Sequence, residues 1–459
     1  MKKVAIIGGG ITGLTAAFYI QKHVMETKEE FQVTLFESDE RLGGKIRTER
    51  REGFVIERGP DSFLKRKVEV LELVEALHLS EGLISNQTGT SYILKDDTLH
   101  MIPEGSVMGV PTRIKPLLDT GLLTMDGKAR ALNDLFIPPL PDFDDMSVGE
   151  FFERRLGQEV VDHIISPLLS GIYAGDIYQL SLKMALPHFI EVERRAGSLM
   201  LGLQNQAPRK KTSQFATLST GLETIVDALI AAFLPEVVDV RVGEKVHKVH
   251  RNEADYTIES DGGSWAFDQI IFAVPHQVTE ALLSEADFLQ RKTQAPSTSV
   301  ATIAMAFPEK AVRMHKEGTG FVVSRREPKT ITAATWTHLK WGHAAPEGKA
   351  LIRCYVGKAG DDRIIEKSDD ELVSIALKDM QGTVDILSDP DFALVSRWPE
   401  AMPQYPVGHK KWLHEIRQRL AKEYPGVYLA GASYDGIGIP DCIRQGMQAA
   451  KDVLNTLAT

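Results

Sequence analysis

This 459-residue sequence predicts a mixed α/β fold, and three observations predict it. A short apolar run at 4–7 stops at three consecutive glycines and is followed by helical periodicity, the start of a βαβ unit. A Leu- and Met-rich stretch from about 101 to 207 carries helical spacing, broken at Pro138-Pro139-Leu140-Pro141. From about 299 to 397 the pattern changes to β-type runs (SVATIAMAF, GFVVS, ITAATWT, ALIRCYVG) separated by turn residues, which predicts an antiparallel sheet. The expected organisation is a discontinuous parallel-sheet domain from 1–66, 213–282 and 415–459. An antiparallel β domain follows from 67–94 and 283–414, with a mainly helical insertion over 95–212.

Each element follows in order. Residues 4–7 read as a buried strand, and residues 11–25 as a helix through Leu14, Ala17 and Phe18. QVTLF at 32–36 is the second strand. The polar, basic run QNQAPRKKT around 204–212 reads as a loop, and residues 222–233 as a helix. Strands are expected at 237–242, 245–250, 268–274 and 427–430, the last followed by a Gly-rich turn and a helix from Pro440. No repeats or low-complexity tracts interrupt this plan.

Composition narrows the function classes. Apolar residues make up 43% and charged residues 25%, enough for a sizeable core and unlike a disordered or disulfide-stapled chain. With 53 basic against 63 acidic residues, the net charge of −10 argues against a nucleic-acid partner. An anionic small ligand would need a local basic pocket. Cys354 and Cys442 are the only cysteines, which excludes a disulfide framework and a multi-cysteine metal site and fits a reducing compartment. Met1-Lys2-Lys3 and the uncharged stretch to Gln21 imitate a signal peptide, but Gly8, Gly9 and Gly10 suit a turn better than a membrane helix. The expectation is a cytoplasmic protein with no integral membrane insertion.

Gly8-Gly9-Gly10-Ile11-Thr12-Gly13 matches GxGxxG between a strand and a helix. Gly8 and Gly10 permit the tight turn and the approach of a pyrophosphate, Gly13 allows close helix–sheet packing, and the helix N-terminus favours the anion. Glu37, ending the second strand, is placed to accept hydrogen bonds from a ribose. A second glycine pair, Gly43-Gly44, follows Arg41, whose guanidinium suits a phosphate. The domain is therefore expected to be Rossmann-like. No HExxH or GxSxG sequence occurs, and His247 and His250 would point to opposite faces of a strand, so no metal is expected there.

ESDERLGGKIRT after IIGGGITG resembles the FAD-containing amine oxidase/protoporphyrinogen oxidase superfamily. So do the segments ERGPDSFL (57–64), LSGIYAGD (169–176), LSTGL (218–222) and GIGIPDCI (436–443), which together are similar to the oxygen-dependent porphyrinogen oxidases of Gram-positive bacteria. The resemblance implies a bound FAD, with Gly8, Gly10, Gly13, Glu37, Arg41 and Gly44 as contacts and Gly59, Pro60, Asp61 and Ser62 near the flavin. It implies that the backbone of Val246 meets the adenine and that Ile437, Gly438 and Ile439 form a flavin-facing turn. Pro440 suits the first turn of the following helix, whose positive end would stabilise reduced flavin.

The implied reaction is coproporphyrinogen III to coproporphyrin III in haem biosynthesis, with dioxygen as oxidant, hydrogen peroxide as product, and a transient ferrochelatase contact. Gly175 and Asp176 are implied to meet pyrrole N–H groups. Lys67 is the first candidate cation for a propionate, with Arg353 and Lys340 behind it, and solvated surface charge is the competing account. Phe321, Val322 and Trp341 lie in segments resembling substrate-clamping strands, with core packing as the alternative. Mitochondrial and plastid members carry a basic residue after the GP pair where this chain has Asp61-Ser62, so their substrate pose does not transfer. The helical insertion resembles a membrane-binding region and allows peripheral contact. Rival functions are a protoporphyrinogen IX oxidase, a flavin amine oxidase or desaturase, and a non-catalytic protein like the GDP-dissociation inhibitors.

Overall fold

A computed structural model describes residues 1–206, 214–291 and 297–456. Most of the loop expected near 204–212 lies outside the described residues.

Val4, Ala5 and Ile6 are fully buried, as a strand covered on both faces must be. Their strand, Lys2–Ile7, is the middle of a five-stranded parallel sheet ordered Val238–Val242, Phe31–Glu37, Lys2–Ile7, Gln269–Phe272, Val427–Leu429. Successive side chains leave a strand on opposite faces. Val4 and Ile6 accordingly enter a core shared with Leu14, Val226, Ile443 and Val453, whereas Ala5 and Ile7 enter one with Val249, Ile258, Leu413 and Leu420. The helix Ile11–Thr27 and the C-terminal helix Ile439–Thr456 therefore share one face. The other is covered by the three-stranded sheet Val246–Arg251, Tyr256–Ser260, Gly263–Phe267 and the helix His409–Glu423.

The second sheet has seven strands, ordered Phe392–Pro403, Ser297–Pro308, Lys349–Val356, Ile331–Trp336, Gly320–Val323, Tyr92–Lys95, Thr98–Met101. It departs from the expectation of an antiparallel sheet at one seam, where Gly320–Val323 runs parallel to Tyr92–Lys95. That strand arrives from a distant part of the chain, with no hairpin to fix its direction. It pairs with Thr98–Met101 through Asp96 and Asp97, both at positive φ as a tight two-residue hairpin requires. Residues 98–101 thus belong to the sheet, a correction to the expected start of the helical insertion at 95.

The helical region has its own core, including Phe151, Phe152, Ile164, Leu169, Phe189 and Leu199. Its helix Val148–Leu156 opens with a capping box between Ser147 and Glu150. Arg155, fully buried on that helix, donates to Asp134 at 2.6 Å and Glu193 at 3.3 Å and to the carbonyls of Asp134, Ile137 and Gly197. A turn of π-helix, Val161–Ile165, leads into the helix Ser166–Tyr173. No helix of the described residues is long and apolar enough to cross a membrane.

Candidate functional site

The glycines of the first turn are not equivalent. A Cβ on Gly8, at φ +109°, would lie 2.6 Å from the Ala273 carbonyl oxygen, and one on Gly13 would lie 2.0 Å from that of Gly8. Both glycines exist for backbone packing. Gly10 differs: a Cβ there would find no heavy atom within 4 Å, and its φ of −73° is open to any residue. Its open face stands at the N-terminus of a 17-residue helix with no acidic residue in its first turn. That is a place for an anion.

The Glu37 carboxylate accepts from the Gly9 amide at 2.8 Å and the Asp39 amide at 2.9 Å, joining the strand-end acid to the turn. The Gly43 amide donates to the Gly9 carbonyl at 2.8 Å, and a Cβ on Gly44 would lie 3.4 Å from the Gly10 Cα. The two glycine pairs thus form one bare-backbone cradle, a fit to a dinucleotide. Arg41 shapes it from behind, donating to the carbonyls of Gly44 and Ile46 and pairing with Glu223 at 2.7 Å. Its guanidinium is thus largely committed to the loop, a role the phosphate expectation did not include. Val246 opens a strand two residues after Glu244, whose amide donates to the Glu37 carbonyl at 2.9 Å.

Lys45 follows the second glycine pair and donates to the Ala401 carbonyl. Its side chain meets solvent, yet desolvation lowers its pKa, with the nearby Cys442 opposing. Lys45 thus reaches from the cradle to the strand Phe392–Pro403. A Cβ on Gly59 would lie 2.0 Å from the Lys45 carbonyl oxygen, which brings the 59–62 segment against the same residue.

That segment is stitched to both sheets. The buried Glu57 accepts from the Leu222 amide at 2.6 Å and the Thr48 hydroxyl at 2.9 Å. Burial pushes its pKa up to about 7 against those hydrogen bonds. A Cβ on Gly221 would lie 2.3 Å from the Thr48 methyl, so the LSTGL motif serves this contact. The Arg58 carbonyl accepts from Thr302 and Trp398 of the seven-stranded sheet. Asp61 takes Lys340 at 2.8 Å, Arg353 at 4.0 Å and the Ser62 hydroxyl at 2.6 Å. Burial alone would raise its pKa, but the two cations hold it well below the usual carboxylate range. Arg353 also donates to the Gly59 carbonyl at 2.9 Å. Lys340 and Arg353, weaker candidates for a substrate carboxylate, are therefore held by Asp61.

The C-terminal turn and its helix adjoin these residues through Asp441 and Cys442. Gly431 and Gly436 take φ of +116° and +118°, and the helix begins at Ile439 with Pro440 second. Ile439 is buried in the core beneath the cradle, whereas Ile437 and Gly438 are half-buried. Asp441 in the first turn of that helix accepts from Lys67 at 2.7 Å, so Lys67 is an ion-paired residue on the rim. Burial raises the Tyr173 phenol to about 12, and the Asp441 charge adds to it.

Other expected substrate residues divide. The helix Ser166–Tyr173 ends at Ala174, φ +51°, and a Cβ on Gly175 would lie 1.8 Å from the Gln404 Oε1. The Asp176 carboxylate accepts from the Tyr178 amide at 3.1 Å and meets Arg325 at 3.5 Å. Phe321 and Trp341 are 2% and 3% exposed, closed inside separate cores, which corrects the expectation that they clamp a ligand. Strand alternation is the reason for Phe321, because its neighbour Val322 emerges on the other face, against the helical region. His247 bonds Asp261 and His250 meets Glu259 and Glu285. Among the described residues no group of three or more His, Cys, Asp or Glu is placed to hold a metal. Sequence reasoning missed Glu223, Gln404, Tyr405 and Gln445. Only Glu223, beside the LSTGL motif, had a local signal.

A family model described as flavin containing amine oxidoreductase matches residues 11–454. The chain is 48% identical over 465 residues to the coproporphyrinogen III oxidase of Bacillus subtilis strain 168, covering 99% of this chain and 98% of that protein. It is 39% identical over 468 residues to the coproporphyrinogen III oxidase of Staphylococcus aureus, covering 99% and 100%. A solved structure of a candidate protoporphyrinogen oxidase from Exiguobacterium sp. 255-15 aligns with a TM-score of 0.90 at 37% identity, over 100% of this chain and 99% of that one.

Proposed function

Because this chain belongs to the flavin-containing amine oxidoreductase family, we propose that it is an FAD-dependent oxidase converting coproporphyrinogen III to coproporphyrin III in haem biosynthesis. One observation carries the reading: the open Gly10–Gly44 cradle runs through Lys45 to a rim where Lys67 and Asp441 join the 59–67 segment to the C-terminal turn. FAD held by Glu37, the glycine turns and the turn at 437–439 would supply the two-electron oxidation chemistry, each hydride equivalent being matched by a proton from a pyrrole nitrogen, with dioxygen as terminal oxidant and hydrogen peroxide as its product.

The chain's own residues orient and enclose. Glu37 and the glycine turns hold the nucleotide end. Residues 59–62, fixed by Glu57 and Asp61, and the turn at Ile437, Gly438 and Ile439 hold the flavin end. Lys67 offers its charge to a propionate in exchange for Asp441, and Val322, Gly175 and Asp176 border the substrate. The parallel-sheet core supports the assignment of 1–66, 213–282 and 415–459 to the cofactor domain. A cytoplasmic location belongs to the same reading, as do a transient ferrochelatase contact and peripheral membrane attachment. The exposed Met125 and Phe136 of the helical region, 72% and 82% accessible, support a surface contact.

The name carried by the Exiguobacterium protein favours a second reading, protoporphyrinogen IX oxidation. Initial rates on both porphyrinogens, followed by product fluorescence with peroxide measured alongside, separate the two. Faster turnover of coproporphyrinogen III is expected, and a clear preference for protoporphyrinogen IX would overturn the substrate assignment.

A further inference from the structure

The turn from Gly431 to Gly438 has two positive-φ glycines and little secondary structure, yet buried side chains hold it, Tyr405 and Gln445 among them. Tyr405, 1% exposed, donates its hydroxyl to the Ala432 carbonyl and accepts from the Gly436 amide at 3.1 Å, closing the loop across its two flanks. Gln445, nearly two helical turns inside the C-terminal helix, accepts from the Gly431 amide at 3.1 Å and the Asp435 amide at 3.3 Å and donates to the Gly436 carbonyl at 3.3 Å. Both carbonyl and amide of Gly436 are thereby committed to side chains behind the turn.

Tyr405 has little freedom to drift. Its ring packs between Tyr173 and His409, with centroids 6.4 Å and 4.6 Å away. Its carbonyl accepts from the Ser181 amide at 2.8 Å. The preceding residue, Gln404, donates to the Tyr173 carbonyl at 2.8 Å and stands against Gly175. Two adjacent residues thus support both the C-terminal turn and the IYAGD segment.

We propose that Tyr405, with Gln445, is a positioning residue that fixes the Gly436–Ile439 turn against the cofactor and keeps it in register with the 173–176 segment. The proposal rests on the reading that this turn faces the isoalloxazine ring. Deleting the hydroxyl leaves a half-buried carbonyl and a half-buried amide without their shared partner, a loss the loop relieves by shifting. The amides at the helix N-terminus then move relative to the flavin.

The test uses purified holoprotein. Tyr405→Phe is expected to raise the FAD dissociation constant about tenfold and to shift both the flavin absorption bands and its reduction potential. Tyr92→Phe is the control. That residue is likewise buried, but it donates its hydroxyl to the Glu317 carbonyl at 2.7 Å in the seven-stranded sheet, outside the turn, so its loss lowers the melting temperature and leaves the flavin unchanged. A folded Tyr405→Phe protein with the parent's FAD affinity, spectrum and potential overturns the proposal, as does a Tyr92→Phe protein that shifts the flavin equally. Should Tyr405→Phe not fold, Gln445→Met decides by the same readouts, and an unchanged flavin again overturns it. Gly438→Val separates the two levels. If it disturbs the flavin while Tyr405→Phe does not, the clamp fails and the turn's assignment stands. If Gly438→Val also leaves the flavin unchanged, the assignment fails and the clamp with it.

Discussion

Two glycines of one motif answer to different constraints. A side chain on Gly13 meets the Gly8 carbonyl at 2.0 Å and must push helix from strand, so Gly13→Ala is expected to cost about 1–3 kcal/mol of stability. One on Gly10 meets nothing in the chain, so Gly10→Val is expected to leave the melting temperature of the apoprotein within a degree or two while abolishing FAD retention. Normal flavin content in folded Gly10→Val would remove the cradle from the nucleotide site. Lys67 is a third residue with a split signature. Its pairing with Asp441 is half-exposed and adds little stability. If Lys67 binds a propionate equally in ground and transition states, Lys67→Ala raises KM severalfold with kcat nearly unchanged. An unchanged KM would exclude that contact.

Among the elements, the helix Val148–Leu156 is fixed by charge as well as packing. Asp134 accepts from Arg155, the Ser198 hydroxyl and the Met200 amide, all within 2.9 Å, so Asp134→Ala removes the nearer carboxylate from a buried guanidinium and unpairs the Ser198 hydroxyl and Met200 amide. Unfolding by urea is expected to show a loss of about 3–5 kcal/mol. The helices His276–Leu282 and His409–Glu423 carry a different liability. Burial first, and Arg291 second, 2.9 Å from the His409 ring, together push His276 and His409 down to about 4. Their folded values lie below the ordinary 6.5, so the stability they contribute is complete above pH 6.5 and drains away as pH falls toward 4. Glu57 works the other way. Its folded value of about 7 exceeds the ordinary 4.5, so its contribution is complete below pH 4.5 and lost as pH rises through 7. Denaturation midpoints between pH 7 and 5 should therefore fall for the parent and fall more steeply for Glu57→Gln, which lacks the opposing titration.

At the scale of the molecule, what the sequence disclosed was local. The strand, glycine turn and helix at the N-terminus could be read because their partners sit within a few residues, and so could Glu37, which closes the same βαβ unit. The Asp61–Lys340 pair could not, because hundreds of residues separate acid from base. Tyr405 and Gln445 carry no motif, and only the folded loop shows what they hold. Phe321 illustrates a different blindness: an apolar run announces a strand but not which of its faces meets a ligand. The parallel seam beside Tyr92–Lys95 was equally hidden, since strand direction comes from the path of the chain between strands.

The first helix, Ile11–Thr27, packs against the last, Ile439–Thr456, in a single core. These two helices lie far apart in sequence, and bringing such distant segments together slows folding. The nucleotide cradle lacks its support until Ile439–Thr456 docks on Ile11–Thr27, so the flavin is expected to bind only after that docking.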